Sequence, residues 1–266
     1  MPAALFSLAL LAAAVVPAQV TRDAPSYSAA TIINAASGDP NALAPYTIIK
    51  IVGKNLAWDA KDMQPSDIRA SMVPTVLPNA GVHVYINRQS AGLLNVSPTQ
   101  LTVLIPGDLV AGPAIVQTTL DGLSGPEVLV SLAPFAPGMF ANDDGTLIVS
   151  RENGDLVKPD APLKPGDRMV VHAVGLGAAN PPLLGLEIAA AALSLDVQTT
   201  VAVYLNDNPI DPALISNVSF VSGLPGVYQL TMQLPPDAPS NPELRIEANS
   251  FKSPAGFKIP VSSDSS

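Results

Sequence analysis

Histidine is the commonest general base and metal ligand, and the 266-residue chain has two, His83 and His172, with no cysteine. His83 stands between Val82 and Val84 and shares an alternate-residue face with Tyr85 and Asn87; His172 falls opposite Met169, Val171 and Ala173. Each reads as a side chain on the outer face of a strand, with no Ser, Asp or Glu beside it at motif spacing. There is no G-x-S-x-G elbow and no H-E-x-x-H. Without cysteine, thiol catalysis and cysteine-containing zinc sites are excluded.

Carboxylates offer more. Asp143 and Asp144, between Asn142 and Gly145, put oxygen donors on one turn, the chemistry a hard cation such as calcium uses. The EF-hand spacing and its distal Glu are missing, and the same composition makes an ordinary β-turn. A hydrolase could assemble two remote Asp or Glu residues, as glycosidases do, but no polar cluster in the sequence marks a cleft for them. Trp58, the one tryptophan, offers a ring to stack on a sugar or peptide; equally it is a loop anchor packed on a sheet edge. No cofactor and no catalytic residue are therefore expected, with Asp143 and Asp144 as metal candidates and Trp58 as a ligand candidate.

The elements that must position these residues are strands. Only 13% of the chain is charged and 28 residues are proline, about half the usual charge and twice the usual proline of a globular domain. The net charge is -9, with 13 basic against 22 acidic residues, which gives no footprint for nucleic acid or for an anionic membrane surface. Three segments recur in order. Leu43 to Leu56 is echoed by Leu163 to Leu176, Val82 to Asn87 by Val201 to Asn206, and Gln100 to Pro106 by Gln229 to Pro235. A period above about 100 residues means duplicated domains; solenoid units repeat every 20 to 50. In Gln229 to Leu234 the apolar Leu230, Met232 and Leu234 alternate with polar residues, as in a strand with one packed face. Pro45, Pro106, Pro165 and Pro235 stand at the ends of such runs, and Asn142 to Gly145 and Asn206 to Asn208 have hairpin-turn composition. Tyr85 and Tyr204 occupy equivalent positions, which suggests a role in the shared fold. One stretch, Leu183 to Leu195 with Ala189 to Ala192, has the composition of a short helix.

The first segment reads as an export signal: Ala3 to Ala18 is almost wholly apolar, too short to span a bilayer, and ends in Val16-Pro17-Ala18, a small-residue cleavage site. A buried N-terminal helix is the alternative. No second long apolar run follows, so no membrane span is expected.

Ile33-Asn34-Ala35-Ala36-Ser37, Ser97-Pro98-Thr99-Gln100-Leu101, Ala136-Pro137-Gly138-Met139-Phe140, Val174-Gly175-Leu176-Gly177 and Gly226-Val227-Tyr228-Gln229-Leu230 together resemble the Solibacter-type uncharacterised C-terminal domain of acidobacterial exported proteins. The resemblance runs from Thr31 to Pro254 and implies two immunoglobulin-like halves similar to IPT/TIG modules, with no activity attached. The chain departs from that pattern at Tyr46, which follows Pro45 where the family has Gly. A bulky residue resists positive φ, so the turn is expected to be reshaped there, whereas the second half keeps Pro165-Gly166.

The sequence thus predicts an all-β protein of two tandem immunoglobulin-like antiparallel β-sandwiches. The expected divisions are a signal peptide (1–18), a linker (19–30), a first sandwich (31–134), a second (135–261) and a disordered tail (262–266). The expected function is an exported, non-enzymatic binding or adhesion module whose partner is a protein or polysaccharide of the envelope, periplasmic or outside the cell. A structural spacer and a two-carboxylate hydrolase are the alternatives. Binding would fall on the loops Trp58 to Met63, Asn142 to Gly145 or Ala178 to Pro182.

Overall fold

The computed structural model describes residues 23–262. The expected signal peptide, residues 19–22 of the expected linker and residues 263–266 of the expected tail lie outside the described residues.

Alternation sets the strands. The run Val82-His83-Val84-Tyr85-Ile86 buries every second residue, and so does Leu244 to Ala248, the period-2 signature of a sheet with one packed face. In chain order the first ten strands are β1 (Ile32–Asn34), β2 (Ile48–Val52), β3 (Lys61–Asp62), β4 (Val82–Ile86), β5 (Gln89–Ser90), β6 (Gly92–Val96), β7 (Gln100–Leu104), β8 (Gly112–Leu120), β9 (Leu123–Ser124) and β10 (Val128–Leu132). They form two antiparallel sheets, β1-β2-β7-β6-β3 and β10-β8-β4-β5, with β9 hairpinned onto β8. Ile49, Ile51, Leu101 and Val103 from one sheet and Val82, Val84, Ile86 and Leu120 from the other are fully buried in a single core. That shared core makes the pair a sandwich.

The next eleven are β11 (Gly138–Met139), β12 (Val149–Ser150), β13 (Arg168–Val174), β14 (Ala179–Asn180), β15 (Ser194–Leu195), β16 (Val201–Leu205), β17 (Asn208–Pro209), β18 (Ile215–Phe220), β19 (Tyr228–Gln233), β20 (Leu244–Ala248) and β21 (Phe251–Lys252). Their sheets run β11-β13-β19-β18-β15-β14, with β12 also on β13, and β17-β16-β20-β21. The arrangement repeats: β13-β19-β18 takes the place of β2-β7-β6, and the β16–β17 hairpin beside β20 takes the place of β4–β5 beside β8. The chain is an antiparallel β-sandwich built twice. Among the described residues no α-helix occurs, and no helix is long and apolar enough to cross a membrane.

Two expectations are corrected. Leu183 to Leu195 is not a helix, because its backbone is bonded elsewhere. Leu186 O accepts from Val73 N–H, the Ile188 N–H donates to Ser71 O, Gly185 O accepts from Gly107 N–H, and Leu193 O accepts from Phe220 N–H, at 2.7–3.0 Å. Those carbonyls and amides are the ones a helix would need for itself. The turn at Tyr46 is not reshaped either: Tyr46 sits at φ +57° and its counterpart Gly166 at +86°, so both halves use the left-handed turn despite the side chain.

That side chain explains the exception. Tyr46 is 5% exposed and belongs, with Ile48, Val73 and Leu104 of the first half, to the core of the second. Its ring meets Phe220 edge-on, with centroids 5.5 Å apart, and its hydroxyl donates to the Glu187 carbonyl. Gly226 at φ +70° fits beneath: a Cβ there would lie 2.8 Å from Leu104 Cδ1 and 2.9 Å from Ile48 Cγ1. The left-handed Tyr46 is thus held by the packing of its own side chain. The two sandwiches are joined by a continuous apolar contact and by backbone hydrogen bonds.

Candidate functional site

The residues singled out by type are scattered. Asp144 Oδ1 accepts the Thr146 N–H at 2.8 Å, and this backbone hydrogen bond holds its carboxyl below the usual carboxylate value; that oxygen caps its own turn. Among the described residues no group of three or more His, Asp or Glu side chains gathers to hold a metal. Trp58 is 37% exposed and its indole N–H donates to Asp121 Oδ2 at 2.7 Å, linking its loop to the β8–β9 turn. His172 lies on β13 opposite Gln229, where burial lowers its pKa. His83 lies on β4 of the other half, opposite Thr119.

What the structure does bring together is the outer face of the β10-β8-β4 sheet. The buried set on β4 is Val82, Val84 and Ile86, so His83 and Tyr85 must point outward. On β8, Ile115, Gln117 and Thr119 do likewise, and on β10 so does Leu129. The ladder places Tyr85 opposite Gln117 and Ile115 opposite Leu129. The His83 and Tyr85 rings are parallel to within 6°, with centroids 6.1 Å apart. Asn87 and Arg88, at φ +49° and +67°, form the two-residue turn that starts β5, the type I′ geometry of a tight hairpin. Asn87 Oδ1 accepts from Ile115 N–H at 2.8 Å and fastens the turn to β8. The result is a concavity of about 540 Å³ lined by Tyr85, Asn87, Arg88, Ile115, Gln117 and Glu127.

The duplication supplies an internal comparison. Tyr204 holds the place of Tyr85, opposite Arg245, and Ala202, opposite Glu247, holds that of His83. There the chain satisfies itself. Lys252 Nζ lies 3.8 Å from the centre of the Tyr204 ring, and the Tyr204 hydroxyl donates to Glu247 Oε2 at 3.1 Å. Lys252 and Glu247 pair at 3.6 Å, and Arg245 and Asp207 at 3.0 Å. In the first half the register counterparts are Ser124 for Lys252, Thr119 for Glu247 and Gln117 for Arg245. Serine is too short to cover a ring. Among the described residues no hydrogen bond or ion pair engages the Tyr85 hydroxyl, the Arg88 guanidinium or the Glu127 carboxylate. Both tyrosines are half-buried; Tyr204 has a cation over its ring and a bonded hydroxyl, and Tyr85 has neither among the described residues.

A second concavity, of about 440 Å³, opens at the junction between Tyr46, Phe135 and Phe220 on its apolar side and Asp196, Gln198 and Asn249 on its polar side; Ala178 of the expected loop Ala178 to Pro182 is part of its wall. Its polar groups are largely occupied. Asp196 Oδ1 accepts the Gln198 N–H, Asn249 Oδ1 accepts the N–H and O–H of Thr200, and Asn249 Nδ2 donates to Gln198 O. These bonds organise the loop before β16.

Sequence reasoning placed His83 and Tyr85 on one outward face but missed Arg88, Gln117 and Glu127. Two-residue spacing gives a face within one strand, while strand neighbours come from the register.

No protein-family model matches the chain, and no curated protein matches it. Solved structures with which it aligns include the surface glycan-binding protein PbSGBP-B from Prevotella bryantii, at 13% identity and a TM-score of 0.29 over 82% of this chain and 38% of that one. A second is the mixed-linkage glucan utilization locus SGBP-B of Bacteroides ovatus in complex with a heptasaccharide, at 10% identity and a TM-score of 0.35 over 91% and 46%. A third is the tandem Ig repeats of Dlar, at 10% identity and a TM-score of 0.21 over 90% and 94%. The chain thus spans less than half of either glycan-binding protein. At these scores the likeness is no guide to a ligand.

Proposed function

We propose that the protein is a non-enzymatic binding module of the cell envelope or cell exterior, and that the outer face of β4, β8 and β10 meets its ligand. The observation that carries this reading is the unequal state of two equivalent tyrosines: Tyr204 is covered by Lys252 and bonded to Glu247, while Tyr85 lines an open groove with Arg88, Gln117 and Glu127. Tyrosine gives large contact area at low entropic cost and an edge that hydrogen-bonds, so one whose hydroxyl has no partner among the described residues, beside the unengaged Arg88 and Glu127, is suited to recognition.

The test is retention of the purified protein on envelope and polysaccharide fractions, comparing wild type with Tyr85→Ala and Tyr204→Ala. Retention lost in the first variant and kept in the second is the expected result. Retention unchanged by Tyr85→Ala would remove this face from consideration. Retention by no fraction at all would favour the spacer reading, which the interlocked joint at Tyr46 supports.

A further inference from the structure

We infer that the occupant of the Tyr85 face is a neutral polysaccharide chain of pyranose rings; the inference rests on the binding reading above and names its ligand class.

The backbone of this face has little left to give. From Val82 opposite Leu120 to Ile86 opposite Val116, β4 is paired to β8, and β8 is paired in turn to β10 from Val116 to Gly112. A peptide that adds as a strand needs free N–H and C=O groups at an edge; β8 is paired on both sides and the outer strands of the sheet are β10 and β5, so strand addition would fall beside the Tyr85 groove. Recognition within the groove itself runs through side chains.

Those side chains are of two kinds in alternation. Tyr85 and the parallel His83 ring, with Ile115 at 43% and Leu129 at 66% exposure, make an apolar strip. Glu127 and Arg88 supply acceptors and donors in the same groove, with the amide oxygen of Gln117, whose Nε2 donates to Gly125 O at 3.4 Å. A pyranose has the matching division: C–H bonds on its ring faces and hydroxyls around its rim. Its faces stack on aromatic and aliphatic surface, and each hydroxyl both donates and accepts. Glutamate offers two acceptor oxygens and arginine five donors in a fixed fork, a set suited to neighbouring hydroxyls.

Charge excludes the acidic polymers. Arg88 and Glu127 cancel within the groove, while the whole chain carries a net -9, a field that repels polyanions. Extent favours a chain over a single sugar. A further concavity, of about 780 Å³, has Pro113 and Leu129 in its wall, and Leu129 faces Ile115 of the Tyr85 groove across the β8–β10 ladder. The walls of the two hollows thus include strand neighbours, and a ligand longer than one ring would reach from Ile115 to Leu129.

Affinity electrophoresis of the full chain tests this in gels containing hydroxyethylcellulose, galactomannan or xylan as neutral polymers and alginate as the anionic one. The expected result is retardation by at least one neutral polymer and none by alginate. Tyr85→Ala should weaken the retardation at least about tenfold, as for a central aromatic contact, and Gln117→Ala should weaken it less. Tyr204→Ala should leave it unchanged. Added salt should have little effect, because no ion pair forms. A melting temperature for Tyr85→Ala close to wild type separates lost binding from lost fold. Retardation by alginate alone, or neutral retardation indifferent to Tyr85→Ala, overturns the inference. So does the absence of retardation by every neutral polymer. If that failure coincides with Tyr85-dependent capture of an envelope protein, the binding face stands and only the glycan assignment falls.

Discussion

Replacing Tyr46 by Gly and by Ala should invert the usual order of those two residues. In ordinary backbone Ala is the more stabilising, because glycine has more freedom to lose on folding, a difference of about 0.4–1 kcal/mol. At φ +57° any residue with a Cβ bears roughly 1–2 kcal/mol of left-handed cost that Gly does not. Both variants lose the same side chain, which is buried, edge-on to Phe220 and bonded to the Glu187 carbonyl; truncating a buried aromatic costs about 3–5 kcal/mol. Subtracting the unfolded-state term leaves Gly ahead of Ala by about 0–1.6 kcal/mol, centred near about 0.8, at roughly 2–4 °C in melting temperature per kcal/mol for a chain of this size. Tyr46→Phe removes only the hydroxyl and leaves a carbonyl unpaired, a loss of about 1–3 kcal/mol. Urea titrations of the wild type and three variants give the ordering from their midpoints. If Ala equals or exceeds Gly, the left-handed turn is not what position 46 imposes. If Phe matches wild type, the bond to Glu187 contributes nothing to the joint.

Burial raises the pKa of both Tyr46 and Tyr228 above the ordinary tyrosine value. A raised acid favours the neutral folded form, so the stability involved is intact below about pH 10 and is lost as pH rises beyond it. Tyrosinate absorbance should accordingly appear in two phases, the later one coinciding with alkaline unfolding; a single smooth titration of the folded protein would contradict the burial. Gly226→Ala should destabilise by about 1–3 kcal/mol, because its Cβ meets Leu104 and Ile48 of the other half. Gly154→Ala, at φ +89° with open space around it, should cost less, and equal effects would show that position 226 is not tightly packed. Asp144→Ala should lower the melting temperature at neutral pH, with the gap from wild type closing as pH falls below the usual carboxylate value of about 4. Calcium should shift neither melting curve; a rise in wild type alone would show that the Asp143–Asp144 turn holds a cation.

Much of this architecture is legible in the order of residues. The matched segments at Val82, Gln100, Val201 and Gln229 coincide with β4, β7, β16 and β19 to within a residue or two, because alternation at period 2 with proline at the ends has few other meanings. Leu183 to Leu195 misleads because helix propensity is a weak local preference, overridden by backbone partners at Ser71, Val73, Gly107 and Phe220 that are remote in sequence. Tyr46 misleads for a related reason: the cost of positive φ is local, while the packing that offsets it comes from the other sandwich. At the binding face, the equivalence of Tyr85 and Tyr204 is visible in sequence, but which of them the chain itself engages is not. That depends on Lys252 against Ser124 and Glu247 against Thr119, pairs that only the strand register reveals.

The bonds from Ser71, Val73 and Gly107 to the segment Gly185 to Ile188 also have a mechanical meaning. Ser26 is paired with Lys54 in the first sandwich and Ser262 is bonded to Leu163 in the second, so tension applied near the two ends enters one half and leaves through the other. The load crosses several bonds at the joint together with the apolar contact around Tyr46. Under force the two sandwiches should give way as one unit, and a ligand held at Tyr85 would be kept at a fixed angle to the pull until they do.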